Sequence, residues 1–220
     1  MIHTKLATFR ESRIKWKYEV LLVSFLILIF GDIFFHEGID AAPYLILQNV
    51  FASIVLFYGK KRWRFPLVFL MTAIITLVVV NILFDFRYIR LAFAIIYIIY
   101  FAFISTEVFA QIIVTKNVTG SMVSAVLCGF IILGLIGGYV FSIIEVLHAG
   151  SFNNLSEGVN GVADLIYFSF ITVLSVGYGD ITPATLLAKK AAMFIGLIGY
   201  FYGVVAIGII IGKFIAKNNN

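Results

Sequence analysis

Apolar positions in this chain gather into long, nearly unbroken runs. They extend from Val20 to Phe35, Ala41 to Tyr58, Phe65 to Phe84, Tyr88 to Thr115, Val118 to Ile144 and Ala191 to Gly212. Each approaches the roughly 20 residues that cross a hydrocarbon core as a helix. Pro43 falls near the first turn of the second run, where proline is tolerated. Glu107 interrupts the fourth run. After the fifth comes a polar stretch, Glu145 to Gly161, rich in Gly, Asn and Ser. It is followed by Val162 to Val176, an apolar piece too brief to cross a bilayer as a helix. The pattern predicts six spanning helices plus one re-entrant segment, with no long-period repeat.

Composition narrows the class. Of 220 residues, 62% are hydrophobic and 12% charged, with a mean hydropathy of +1.09. Soluble domains have about 45–50% apolar and about 25% charged residues. A soluble enzyme is excluded, as is a disordered chain, which needs low hydrophobicity and high charge. The lone cysteine, Cys128, rules out an intramolecular disulfide. The basic first 17 residues and the apolar run behind them resemble a signal peptide but read as a retained first helix. The chain has no H-E-x-x-H metal motif, no Ser/His pair on the spans and no inverted duplication of broken helices. An intramembrane enzyme or transporter is therefore not expected, nor is a soluble regulatory module after Lys217.

The net charge of +5 reads as topology instead of nucleic-acid binding. With the amino terminus inside the cell, Lys5, Arg10, Arg13, Lys15, Lys17, Lys60, Lys61, Arg62, Arg64, Lys116, Lys213 and Lys217 are cytoplasmic. Only Arg87, Arg90, Lys189 and Lys190 lie outside, in keeping with the positive-inside bias. Asp32, Glu37, Asp40, Asp85, Glu145, Glu157, Asp164 and Asp180 fall at or near the outer face. Both termini are expected in the cytoplasm of a multi-pass protein of the cell (plasma or inner) membrane. The segment at 162–176 then enters from outside and returns there.

That segment reads Tyr167-Phe-Ser-Phe-Ile-Thr-Val-Leu-Ser-Val-Gly-Tyr-Gly-Asp180, followed by Ile-Thr-Pro183. Non-helical backbone at membrane depth is tolerated only inside protein or beside water. Gly177 and Gly179 supply dihedrals that other residues avoid. Their alternation with Val176 and Tyr178 lets successive carbonyls point one way while side chains pack behind. Strands from several copies around an axis would stack those carbonyls into rings that replace a cation's hydration shell. One chain brings one strand, so the arrangement needs a symmetric oligomer.

Residues 162–183 resemble the pore helix and signature sequence of the tetrameric potassium channels. The family's usual Thr-Val-Gly-Tyr-Gly-Asp stands here as Ser175-Val176-Gly177-Tyr178-Gly179-Asp180. Serine keeps the hydroxyl at the innermost cation site and loses a methyl. The resemblance extends from about Val118 to Ile215, in the order outer helix, pore helix, filter, inner helix. It implies an all-α membrane protein of six transmembrane helices with a re-entrant pore helix and selectivity filter, assembled as a homotetramer. Residues 1–117 would form a voltage-sensor-like four-helix domain and residues 118–220 the pore domain.

The resemblance also implies roles. Potassium ions, the permeant ligand, would be held by the backbone carbonyls of Ser175, Val176, Gly177 and Tyr178, with Gly179 completing the filter. No cofactor is expected, and the partners are potassium ions, the lipid bilayer and further copies of the chain. Asp180 would anchor the filter by hydrogen bonding to a pore helix, with Tyr167 as a candidate donor. The pore-helix position that carries glutamate in some members is Ile171 here, so no carboxylate pair is available. Gly199 falls at the inner-helix hinge position, 19 residues after Asp180, and both a hinge and close packing remain open. Gly203, Ile207 and Ile211 would face the cavity, with Ile207 and Ile211 as a hydrophobic gate.

A voltage sensor needs several regularly spaced basic residues on the fourth helix. Here Arg87 and Arg90 sit at its outer end, Leu91 to Ser105 carries no charge, and Glu107 has the opposite sign. Weak or absent voltage dependence is expected. Arg87 and Arg90 read as interfacial residues that snorkel. Glu107 is open to a functional role, to snorkelling, or to pairing with Lys116. His36 and His148 lie near the outer face, and Asn154-Leu-Ser156 matches a glycosylation triplet. The function expected is passive, potassium-selective conduction. A non-conducting accessory subunit and a weakly selective cation channel are the alternatives.

Overall fold

The computed structural model describes residues 16–35, 41–58, 60–83, 87–115, 118–156 and 160–218. His36, Glu37, Asp40, Asp85, Lys116 and Glu157 lie outside the described residues. The chain forms helices α1 (Lys17–Phe30), α2 (Ala42–Leu56), α3 (Lys61–Leu83), α4 (Arg87–Val114) and α5 (Gly120–Leu147). Strand β1 (Phe152–Asn153), helix α6 (Asn160–Val173), strand β2 (Thr182–Pro183) and helix α7 (Leu186–Asn218) follow. The architecture is all-α apart from the two short antiparallel strands, which pair Phe152 with Pro183 and Asn153 with Thr182.

Every apolar run appears as a helix, but the lengths differ. Among the described residues, three helices are long and apolar enough to cross a bilayer: Tyr88–Val114, Gly120–Leu147 and Leu186–Ala216. The apolar parts of α2 and α3, Ala42–Leu56 and Phe65–Val80, are shorter. Helix α1 stops at Phe30 and tightens into a 3-10 turn over Gly31–Phe34. Helix α3 begins ahead of the apolar run and takes Pro66 into its interior.

Local chemistry sets the other boundaries. The Thr119 side chain accepts from the Met122 N–H (3.3 Å), so α5 starts at Gly120 and not at Val118. The Thr185 hydroxyl accepts from the Ala188 N–H (3.3 Å) and opens α7 ahead of the apolar run. Helix α6 ends at Val173, which leaves Leu174 to Val176 outside it.

Helix α1 packs on α2, and α3 on α4. Helices α1 and α4 both pack along α5, so the amino-terminal helices rest on the carboxyl-terminal part of their own chain. This interface buries Tyr18, Phe25, Tyr97, Phe101, Met122 and Cys128. Tyr97 stacks on Tyr139 with ring centroids 5.1 Å apart. A buried polar link runs inside it: Asn49 Nδ2 donates to Ser24 Oγ (2.8 Å), and the Tyr100 hydroxyl donates to Asn49 Oδ1 (3.1 Å). Such side-chain bonds join helices in an apolar medium. A second core, around Phe141, Phe152 and Phe168, joins α5, α6 and α7.

Candidate ion-conducting site

The site is an irregular strand-like segment, Ser175 to Asp180, leaving the carboxyl end of α6 between the two long helices α5 and α7 in the chain. Glycines seat α6. A Cβ built at Gly138 of α5 would stand 2.7 Å from the Ile166 Cα, and one at Gly134 would stand 2.5 Å from the Phe170 ring. On the other side a Cβ at Gly199 of α7 would stand 2.7 Å from Val173 Cγ1 and 3.1 Å from its Cα. Gly134 and Gly138 were not singled out as site residues; their small-xxx-small spacing on an apolar helix was the available signal. Gly199 therefore has a packing contact with the pore helix, and α7 stays helical from Leu186 to Asn218.

The helix end is converted into the strand by its own hydrogen bonds. The N–H groups of Val176 (2.9 Å) and Gly177 (3.3 Å) both donate to the carbonyl of Ile171. Ser175 N–H donates to the Thr172 carbonyl (3.1 Å). Beyond this turn the dihedrals alternate. Ser175, Gly177 and Gly179 take positive φ values of 58°, 58° and 79°, while Val176 and Tyr178 do not. Glycine enters this region freely, whereas an L-residue is strained by about 1–2 kcal/mol. Serine at the first position avoids the β-branch that makes such a conformation costlier still.

The strand is open in the single chain. Every residue from Leu174 to Asp180 is exposed, Tyr178 by 74%. A Cβ at Gly177 or Gly179 would meet nothing within 4 Å. The carboxyl end of α6, with its partial negative charge, lies directly before this strand and favours cations.

At the outer end, the Tyr167 hydroxyl donates to Asp180 Oδ2 (2.7 Å) within the same chain. That bond holds the Asp180 carboxyl below its usual range. Asn154 Nδ2 donates to the Asp180 carbonyl (2.7 Å), a contact unrelated to its place in the glycosylation triplet. Asp164 accepts from the Ser156 N–H (2.6 Å) and Glu145 from two loop N–H groups, so both carboxylates order outer loops. Ile171 is buried behind the strand.

Towards the carboxyl end of α7, Ile207 (60%) and Ile211 (52%) are exposed, and a Cβ at Gly203, Gly208 or Gly212 would meet nothing within 4 Å. Glu107, only 5% exposed, forms an ion pair with Lys60, and its carbonyl accepts from the Tyr18 hydroxyl (3.3 Å). Lys60 was placed among the cytoplasmic charges without being matched to Glu107. The Lys213 ammonium donates to the carbonyls of Ile112, Ile113 and Thr115, capping the end of α4 from the end of α7.

A short helix and a glycine-alternating segment thus lie between two helices long and apolar enough to cross a bilayer. Residues 125–216 match the family model described as "Ion channel". The chain is 43% identical over 51 residues to "Two pore potassium channel c" of Oryza sativa subsp. japonica, covering 23% of this chain and 11% of that protein. It is 35% identical over 80 residues to "Probable potassium channel protein 2" of Methanocaldococcus jannaschii, covering 34% of this chain and 23% of that protein. The chain thus aligns with a quarter or less of the length of these curated relatives. No solved structure matches it. Together the matches show a likeness to potassium channels over part of this largely helical chain.

Proposed function

We propose that the chain is one subunit of a homotetrameric, potassium-selective channel that conducts passively and with weak or no voltage dependence. The observation that carries this reading is the alternation of left-handed dihedrals at Ser175, Gly177 and Gly179 on an exposed strand. Alternation turns successive carbonyls to one side, and fourfold symmetry would stack those of Ser175, Val176, Gly177 and Tyr178 into rings that dehydrate potassium. Ser175 and the glycines need no side-chain ligand or cofactor for this. Tyr167 and Asp180 brace the strand. Ile207 and Ile211 form the closing constriction, and Gly199 fits the pore helix while leaving α7 free to bend in another state.

The exposed apolar residues of α7, among them Phe194 and Phe201, support burial against further copies of the chain. Six spans are proposed, with α1 to α3 crossing as shorter helices beside the three long ones. Residues 1–117 then make a sensor-like unit and 118–220 the pore domain, in the cell membrane with both termini cytoplasmic. The field supplies about 2.3 kcal/mol per charge per 100 mV. With Leu91 to Ser105 uncharged and Glu107 paired, little of that energy reaches the pore.

The test is ion flux into liposomes holding the purified chain, comparing potassium with sodium, with barium as blocker, at several voltages. Potassium well above sodium, blocked by barium, is expected. Equal flux of the two ions would replace this reading by a weakly selective cation channel. Stable tetramers without any flux would replace it by a non-conducting subunit.

A further inference from the structure

The outer loop between α5 and α6 is built as a rigid bracket. Glu145 accepts from the N–H groups of Gly150 (2.7 Å) and Phe152 (3.1 Å), which folds the loop back on the end of α5. The Phe152 ring, 4% exposed, packs against both Phe141 (5.4 Å between centroids) and Phe168 (5.6 Å). Strand β1 then pairs with β2, and Asn153 Nδ2 donates to Thr182 Oγ1 (3.1 Å). The Ser151 carbonyl accepts from the Ala184 N–H (2.8 Å). This register carries residue 154 to the outer end of the filter. There Asn154, at φ 61°, donates its side-chain amide to the main-chain carbonyl of Asp180 (2.7 Å). Asparagine enters the left-handed region more readily than most residues, so it suits both the backbone and the bond.

We propose that Asn154 is a positioning residue for the filter, whose amide fixes the Asp180–Ile181 peptide and so keeps the outer strand in its conducting shape. This rests on the channel reading above. Asp180 is held from two sides by two elements: Tyr167 of α6 takes its carboxylate and Asn154 of the bracket takes its carbonyl. The Tyr167 bond reaches the carboxylate through rotatable side-chain torsions, and the carboxylate in turn takes the Ile181 N–H of the peptide. That peptide turns about Asp180 and Ile181, next to Gly179 at φ 79°, where glycine offers little torsional resistance. Asn154 adds a hold on the carbonyl of the same peptide, from a point anchored in the aromatic core.

Two variants separate backbone from amide. Asn154→Gly keeps access to the left-handed conformation and removes the donor. Asn154→Asp keeps the shape and sets an oxygen against the Asp180 carbonyl. The full chain, reconstituted in planar bilayers, is assayed for the rate at which potassium current declines during sustained activity at low outer potassium. Both variants are expected to decline about two- to tenfold faster, the range one net hydrogen bond allows, with Asp faster than Gly. Raising outer potassium is expected to slow the decline, because bound ions brace the strand from within; a merely loosened fold would not respond. If wild type conducts and both variants decline at its rate, the inference is overturned and the channel reading stands. Faster decline that ignores outer potassium also overturns it. If wild type itself passes no potassium, the channel reading fails and this inference with it.

Discussion

Replacing Gly138 by alanine probes how the pore helix is seated. The added methyl would stand 2.7 Å from the Ile166 Cα, 2.7 Å from its Cγ1 and 3.2 Å from its Cβ. Carbon pairs settle at about 3.5–4.0 Å. The Cγ1 can rotate away, but the Cα belongs to the backbone of α6, so the helix must withdraw by about 1 Å. Overpacking of this kind costs about 1–3 kcal/mol. Alanine also gains about 1 kcal/mol over glycine in a helix interior, so the net loss is about 1 kcal/mol. A paired variant isolates the packing effect. Gly203→Ala meets nothing within 4 Å in the subunit and gains only the helical preference. The difference between the two variants is then about 1–3 kcal/mol, because the helical gain cancels. Thermal unfolding of the purified full chain, followed by helical circular dichroism, measures it. Flux gives a second readout: the Ile171 carbonyl positions the Val176 and Gly177 N–H groups, so a displaced α6 moves the start of the filter. Potassium flux is expected to fall in Gly138→Ala. If Gly138→Ala is as stable as Gly203→Ala and conducts normally, α6 does not rest on α5 through Gly138.

Three further outcomes are expected. The Tyr167 hydroxyl lowers the Asp180 pKa, so its support of the filter is fully present above the ordinary carboxylate range and is lost as pH falls through the lowered value. Potassium flux against pH should therefore begin its acid decline at a higher pH in Tyr167→Phe than in wild type; superimposable profiles would refute the role of that bond. Lys60→Met leaves the buried Glu107 without its cation, at a cost of about 3–5 kcal/mol. Adding Glu107→Leu should recover most of the lost thermal stability, and no recovery would count against the pair. The Tyr97 hydroxyl is buried without a partner among the described residues, so Tyr97→Phe should unfold at or slightly above the wild-type temperature, and a clear drop would reveal a partner.

The long helices and the glycine-alternating segment were legible in the sequence because each writes a local signal. Twenty apolar residues in a row, or glycine alternating with Val176 and Tyr178, need no knowledge of what lies opposite. Contacts set by register across the fold left no such mark. Lys60 and Glu107 are 47 residues apart, and nothing near either names the other. Asn154 carried the pattern of a glycosylation triplet, yet its amide meets Asp180 because β1 and β2 pair in one particular register. Gly134 and Gly138 looked like ordinary small residues of a spanning helix until Phe170 and Ile166 proved to lie against them. The shortness of α1 was hidden for the opposite reason: the apolar run continues to Phe35, but the backbone changes to a 3-10 turn at Gly31, where a Cβ would stand 2.6 Å from Leu45 Cδ2.

The surroundings of α4 bear on the proposed lack of voltage sensing independently of its missing arginines. A sensing helix must move past its neighbours when the field changes. Helix α4 is fixed along its length, with Tyr97, Tyr100 and Phe101 fully buried and Tyr97 stacked on Tyr139 of α5. Its carboxyl-terminal end is held three times over: by Lys60 on the Glu107 carboxylate, by Tyr18 on the Glu107 carbonyl, and by Lys213 on the last carbonyls. Sliding α4 by one turn would break the ion pair and strand a buried carboxylate, at about 3–5 kcal/mol. A single charge crossing the whole field recovers only about 2.3 kcal/mol per 100 mV. Even if Glu107 moved through the entire field, then, 100 mV would not offset breaking its own pair. These contacts suit a strut that braces the pore module, with Lys213 tying the end of the proposed gate helix to it.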